Sequence, residues 1–167
     1  MRPTRCPPGI RWGWASSMSQ DKAEVQDAYA AAAGFKLLRV AGAYDQALAP
    51  LYGKRTEREY TTALRVEARH CNYQGILHGG ALATFLDMSL GKAVGAITGP
   101  VPAVTSSLVI DYLGSAAPGD WVETTGRVLR VGKRLIVADC LVHKGGDKGQ
   151  PVLIARANAT FAPIKAP

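Results

Sequence analysis

The sequence predicts an α+β domain: one long buried helix, then an antiparallel β-sheet wrapped around it. Three observations carry this expectation. Residues 80–97, GALATFLDMSLGKAVGAI, place Leu82, Phe85, Leu86, Leu90, Ala93, Val94 and Ile97 at helical spacing with few charges, so most of that helix should be buried. Four β-rich runs follow Gly99-Pro100. The short links between them, APGD, GK and GGDKGQP, are turn sequences, and short links imply antiparallel pairing.

Each element has its own justification. Residues 1–17 hold Pro7-Pro8-Gly9, which breaks any helix, and lack the apolar core of a secretory signal. They read as a disordered tail, or as the product of an upstream start with the natural start at Met18. Residues 18–167 then form a single domain. Asp21 to Ala33 is Ala-rich and reads as a helix ended by Gly34. Residues 35–57 carry Gly42, Pro50 and Gly53 and fit no one element. EYTTALRVEA, Glu59 to Ala68, alternates as a strand does. The later strands are Ala103–Leu113, Trp121–Val131, Arg134–His143 and Pro151–Pro163.

Composition narrows the function classes. The chain is 47% hydrophobic and 20% charged, as in soluble globular proteins. No uninterrupted apolar run approaches the ~18–20 residues of a membrane span. The net charge is +7, but Arg2, Arg5 and Arg11 supply three of it from a segment without acids. The other basic residues are scattered and form no nucleic-acid motif, so neither nucleic acid nor membrane is expected as a partner. A modestly basic surface suits a phosphate-bearing ligand. Three cysteines, Cys6, Cys71 and Cys140, argue against a disulfide framework and fit a reducing cytoplasm. His70 and Cys71 are neighbours on an extended segment and would point to opposite faces, which disfavours a Cys–His nucleophile. No metal-ligand spacing occurs.

The chemistry concentrates in HCNYQGILHGGALATFLDMSLGKAV, residues 70–94. His78-Gly79-Gly80 falls where the helix begins. Its first N–H groups lack internal partners and could hold an oxyanion, unless the glycines only make a turn. Asn72 lies six residues earlier, in a loop with Gly75 that could aim its side chain at the helix start or leave it in solvent. Asp87 is one carboxylate on an apolar helix, costly unless paired or functional. Nine residues along a helix put His78 and Asp87 about 13 Å apart. They cannot cooperate within one chain, but a two-fold dimer would bring one subunit's Asp87 to the other's His78.

The pattern N-x-x-G-x-x-H-G-G-x-x-x-x-x-x-D, from Asn72 through Gly75, His78, Gly79 and Gly80 to Asp87, resembles the hotdog-fold acyl-CoA thioesterases of the phenylacetate-pathway type. The stretch AVTSSLVIDYLGSAAPGDWVETTGRVLRVGKRLIVADCLV extends the resemblance, which spans about residues 50–163. It implies a hotdog fold, a homodimer and often a homotetramer, an acyl-CoA substrate, and no metal or organic cofactor. It also implies roles. Asp87 would be general base or nucleophile. The Gly79 N–H and Asn72 would hold the thioester carbonyl, with Gly80 beside them at the substrate. His78 would orient that group, and Thr105 would position water. Lys133 and Arg134 are expected at the CoA phosphates, ahead of Arg130 and Lys92. Leu86, Ser89 and Leu90 are expected as walls of an acyl pocket between subunits. Two other readings stand behind this one: a non-catalytic acyl-CoA-binding module, and a hydroxyacyl-thioester dehydratase on the same fold.

Overall fold

The structure is a computed structural model that describes residues 27–57, 59–99 and 102–164. The tail, residues 1–17, lies outside them. Asp27 has non-helical backbone, and its Oδ1 accepts the N–H groups of Tyr29 and Ala30 at 2.9 and 3.2 Å. It therefore caps a short helix α1, Ala28–Ala32. The helix expected from Asp21 is thus shorter among the described residues. Gly34, at φ +77°, ends it as expected.

The unassigned stretch 35–57 supplies β1 (Lys36–Leu37), a 3₁₀ turn over Asp45–Leu48, and β2 (Leu51–Arg55). Then come β3 (Tyr60–Arg65), the long helix α2 (Gly79–Thr98), β4 (Ala103–Tyr112), β5 (Trp121–Val131), β6 (Ile136–Lys144) and β7 (Val152–Pro163). The seven strands form one antiparallel sheet in the order β1-β2-β3-β5-β6-β7-β4.

The expected meander holds only from β5 to β7. β4 pairs with β7, not with β5, although the link between β4 and β5 is short. The reason lies in the backbone bonds of that link. Leu113 and Gly114 donate to the Ile154 carbonyl in β7, Ala116 accepts from Leu77, and Gly119 donates to Val66 just beyond β3. The link crosses from one side of the sheet to the other instead of turning back on itself.

The sheet curls around α2. Phe85, Leu86 and Leu90 are wholly buried among Leu64, Val122, Ile136 and Ala157. Burying a side chain of that size contributes roughly 1.5–3 kcal/mol. The helix comes closest at Gly126 of β5, where a Cβ would lie 2.5 Å from that of Ala93. Glycine in a strand is what permits such an approach. With 20 residues and a mean hydropathy of 1.2 over 18 of them, α2 is long and apolar enough to cross a bilayer. Here it is the core helix, with seven residues buried in the fold.

A second, smaller core covers the outer face. Ala30, Phe35, Tyr52, Ala63 and Trp121 are buried there. Tyr29 and Phe35 meet the Trp121 ring edge-on, at 5.3 and 5.4 Å between centroids. The Arg65 guanidinium lies 5.1 Å from the same ring and binds the carboxylates of Asp27 and Asp147. Through Asp27 this pairing ties α1 to the sheet.

Candidate active site

The loop before α2 is folded by its own polar groups. Asn72 Oδ1 accepts the N–H of Gln74 at 2.9 Å and of Ile76 at 3.4 Å, while the backbone N–H of Asn72 donates to the Ile76 carbonyl. Gly75, at φ +75°, makes the turn possible. The Asn72 oxygen is thus committed to the loop. Its amide N–H groups have no acceptor among the described residues. His70 is buried beneath this loop: its Nδ1 accepts the Glu67 N–H at 3.0 Å, and its carbonyl accepts the His78 N–H. Burial, then the nearby Arg69 charge, pushes the His70 pKa down.

At the helix start, His78 is the N-cap. Its Nδ1 accepts the Gly80 N–H at 2.8 Å. Gly80 therefore spends its N–H on His78 rather than on a ligand. No acceptor among the described residues faces the Gly79 N–H. In a neutral His78 ring whose Nδ1 accepts, the proton sits on Nε2. Gly79 and Asn72 together line one cavity beside the helix start, of about 200 Å³. A second cavity, of about 250 Å³ and lined by His70, Cys71, His78 and Gly80, lies beside the first turn of the helix.

Asp87 is half-buried two turns further along α2. Thr105 Oγ1 donates to its Oδ1 at 2.7 Å. A register shift between Thr105 and Ser107 explains how Thr105 reaches it. Leu108 and Ile110 pack on the core, and regular alternation from them would send Thr105 away from the helix. The extra residue reverses the alternation, so Ala103 and Thr105 face α2 instead. The sequence gives no sign of this bulge.

Tyr112, at the other end of β4, escapes sequence reasoning because an aromatic residue in a strand reads as ordinary packing. Its hydroxyl donates to the Gly79 carbonyl at 2.9 Å. Two side-chain bonds, from Thr105 and from Tyr112, thus fasten β4 to α2.

The other expected residues separate from this group. Leu86, Ser89 and Leu90 are at most 1% exposed, and Ser89 Oγ donates to the Phe85 carbonyl. They lie on the helix face turned to the sheet and line neither cavity. Lys133 and Arg134 are exposed in the turn between β5 and β6, with no ion pair among the described residues. Ile136 and Thr105 both pair with Phe161, which puts Ile136 about 10 Å from Thr105 across two strand spacings and the turn before it at the Thr105 end of the sheet. Among the described residues no three His, Cys, Asp or Glu side chains gather as a metal site.

Comparison with known proteins fits this geometry. Residues 74–150 match the family model described as "Thioesterase superfamily". A Pseudomonas aeruginosa protein named "Putative esterase PA0474" is 36% identical over 116 residues, covering 68% of this chain and 83% of that protein. Mouse acyl-coenzyme A thioesterase 13 is 33% identical over 75 residues, which cover 45% of this chain and only 54% of the relative. Among solved structures, zebra fish thioesterase superfamily member 2 superposes with a TM-score of 0.66 at 27% identity, over 74% of this chain and 88% of that one. The protein smu.793 of Streptococcus mutans, solved bound to acetyl CoA, gives a TM-score of 0.59 at 27% identity, over 67% and 86%.

Proposed function

This chain belongs to the thioesterase superfamily, with its hotdog fold, and from that premise we propose that it hydrolyses an acyl-CoA thioester to a free acid and CoA, at a site completed by a second copy of the chain. Within the superfamily we assign it to the phenylacetate-pathway branch, on the pattern from Asn72 to Asp87. The substrate class follows the name of the mouse relative and the acetyl CoA bound to the Streptococcus protein.

One observation carries the reading: the machinery is divided along α2. The donors with no acceptor, the Gly79 N–H and the Asn72 amide, stand at the helix start. The carboxylate held by Thr105 stands two turns away. In our reading the two donors take the thioester carbonyl oxygen, where negative charge builds as the carbon becomes tetrahedral. Donors aimed there stabilise the transition state more than the substrate. His78 holds the Gly80 peptide and so fixes the first turn. Asp87 of the partner subunit supplies the attack. Thr105 binds its Oδ1, which leaves Oδ2 to take a proton from water or to bond to the carbonyl carbon. Collapse of the adduct breaks the C–S bond and releases the CoA thiolate, which takes up the proton drawn from water; where Oδ2 itself bonds to carbon, water then hydrolyses the acyl–Asp87 anhydride to the free acid.

The open surfaces support a two-fold dimer. Gly80, Thr84, Asp87, Gly91 and Gly95 form one stripe along α2, and a Cβ added at Gly91 or Gly95 meets nothing within 4 Å. A second α2 can approach that stripe closely. β4 is an edge strand, with Val104 and Val109 about half-exposed, so the unpaired edge can meet its own copy. Further pairing into a tetramer belongs to the same proposal. Lys133 and Arg134, at the Thr105 end of the sheet, are the proposed partners of the CoA phosphates.

The test is release of free CoA thiol from a panel of acyl-CoAs. Asp87→Asn should lose at least ~10²-fold in turnover while keeping its fold. Near-normal turnover by that variant would remove Asp87 from the mechanism. Silence of the wild type on every member would favour a binding module instead.

A further inference from the structure

We infer that the acyl group is housed inside one subunit, in the cavity beside Gly79, and that Tyr112 sets the length of chain it accepts. This rests on the thioesterase reading above and deepens it. The cavity is about 200 Å³. Leu77, Leu82, Ala116 and Ile154, all buried, wall it, and Tyr112 of β4 closes one side. Asn72 and Gly79, the proposed holders of the thioester carbonyl, line it too. Whatever is attached to that carbonyl therefore starts at the cavity.

The carbonyl carbon carries two substituents. The sulfur leads to the pantetheine arm, whose amides need hydrogen-bond partners and whose far end must bring charged phosphates to solvent. A mostly apolar recess suits neither. The acyl group gains by leaving water, so the cavity fits the acyl side. Its size limits that group. An apolar cavity of about 150 Å³ takes up benzene, so one of about 200 Å³ takes a single aromatic ring or a chain of roughly six carbons. A palmitoyl chain does not fit.

Tyr112 is the wall best placed to set the limit. Its hydroxyl is fixed on the Gly79 carbonyl at 2.9 Å, and its ring lies 3.5–3.6 Å from where a Gly79 Cβ would stand. The ring is also half-exposed. Removing it opens the recess toward solvent rather than collapsing the core.

The experiment measures kcat/KM for straight-chain acyl-CoAs from acetyl to palmitoyl. It compares wild type with Tyr112→Ala, Tyr112→Trp and Tyr112→Phe. Wild type should prefer chains near hexanoyl and fall at least 10-fold by dodecanoyl. Tyr112→Ala should move the optimum to longer chains and Tyr112→Trp to shorter ones. Tyr112→Phe, which keeps the ring but loses the bond to the Gly79 carbonyl, should keep the wild-type optimum length even if its rates fall. Equal rates on hexanoyl- and palmitoyl-CoA would overturn the inference and leave the thioesterase reading standing. So would an optimum that neither Tyr112→Ala nor Tyr112→Trp moves. No turnover of any member by wild type would overturn both.

Discussion

Single side chains do double duty in this chain. Asn72 spends its oxygen on its own loop, and its amide N–H groups are left free for the proposed ligand. Asp27 caps α1 with one oxygen while both its oxygens face Arg65. That Arg65 hydrogen bond, against the cost of burial, holds the Asp27 carboxyl below its ordinary pKa of 3.8. A depressed pKa means the folded form binds its proton less readily than the unfolded chain. The stabilisation is therefore present above about pH 4 and is lost as pH falls through the folded value. Asn can keep the cap but not the charge. Asp27→Asn should thus lower the thermal midpoint at pH 7 and flatten its fall between about pH 5 and pH 2. A curve parallel to wild type over that range would show that the pair adds nothing. At this scale the sequence was most legible where chemistry is local. Asp87, Asn72, His78 and Gly79 stand out by residue type and position. The capping of Gly80 by His78 did not, because a turn histidine can point either way. Asp27 sat inside an Ala-rich run with nothing to mark it as the cap.

Elements were legible where periodicity is strong and long. The sequence places α2 from Gly80 and β5 from Trp121 to Val131, and the structure has them at Gly79–Thr98 and Trp121–Val131. β1, two residues long, is too short to show a period. Strand partners were harder to read than strands. Whether β4 joins β5 or β7 depends on where the link after Tyr112 finds its bonds, and those acceptors are distant in sequence. The bulge at Ser106 is equally silent, yet it aims Thr105 at Asp87. The closeness of α2 to β5 depends on Gly126. Gly126→Val would place its Cβ 2.5 Å from the Ala93 Cβ and add two methyl groups beyond it. Overpacking of that kind costs about 1–3 kcal/mol, so the denaturation midpoint should drop while the same fold persists. Unchanged stability would mean that the helix moves away from the sheet at little cost.

At the scale of the whole molecule, the proposed reading gives each chain half of two shared sites. The sheet wraps one side of α2, leaves the glycine stripe open on the other, and ends in an unpaired β4 edge. The proposed donors and the proposed attacking carboxylate lie on one helix but too far apart to meet. The proposed two-fold partner would solve both problems at once. In the proposed dimer it would cover the stripe and bring Asp87 of the partner subunit to Gly79. From sequence alone the proposed partner was visible only as a distance, about nine helical residues at 1.5 Å each. The surface that a partner would cover required the fold.

The measurement that tests this division most directly is complementation between two inactive variants. Asp87→Asn removes the proposed attacking group and Asn72→Ala a proposed carbonyl donor. Each alone should turn over acyl-CoA far more slowly than wild type. Co-expressed, they should form mixed dimers in which one of the two sites draws an intact Asp87 from one subunit and an intact Asn72 from the other. With random pairing, free-thiol release should recover to roughly a quarter of the wild-type rate. A mixture no faster than the two variants assayed apart would contradict the account and put the whole site within a single chain.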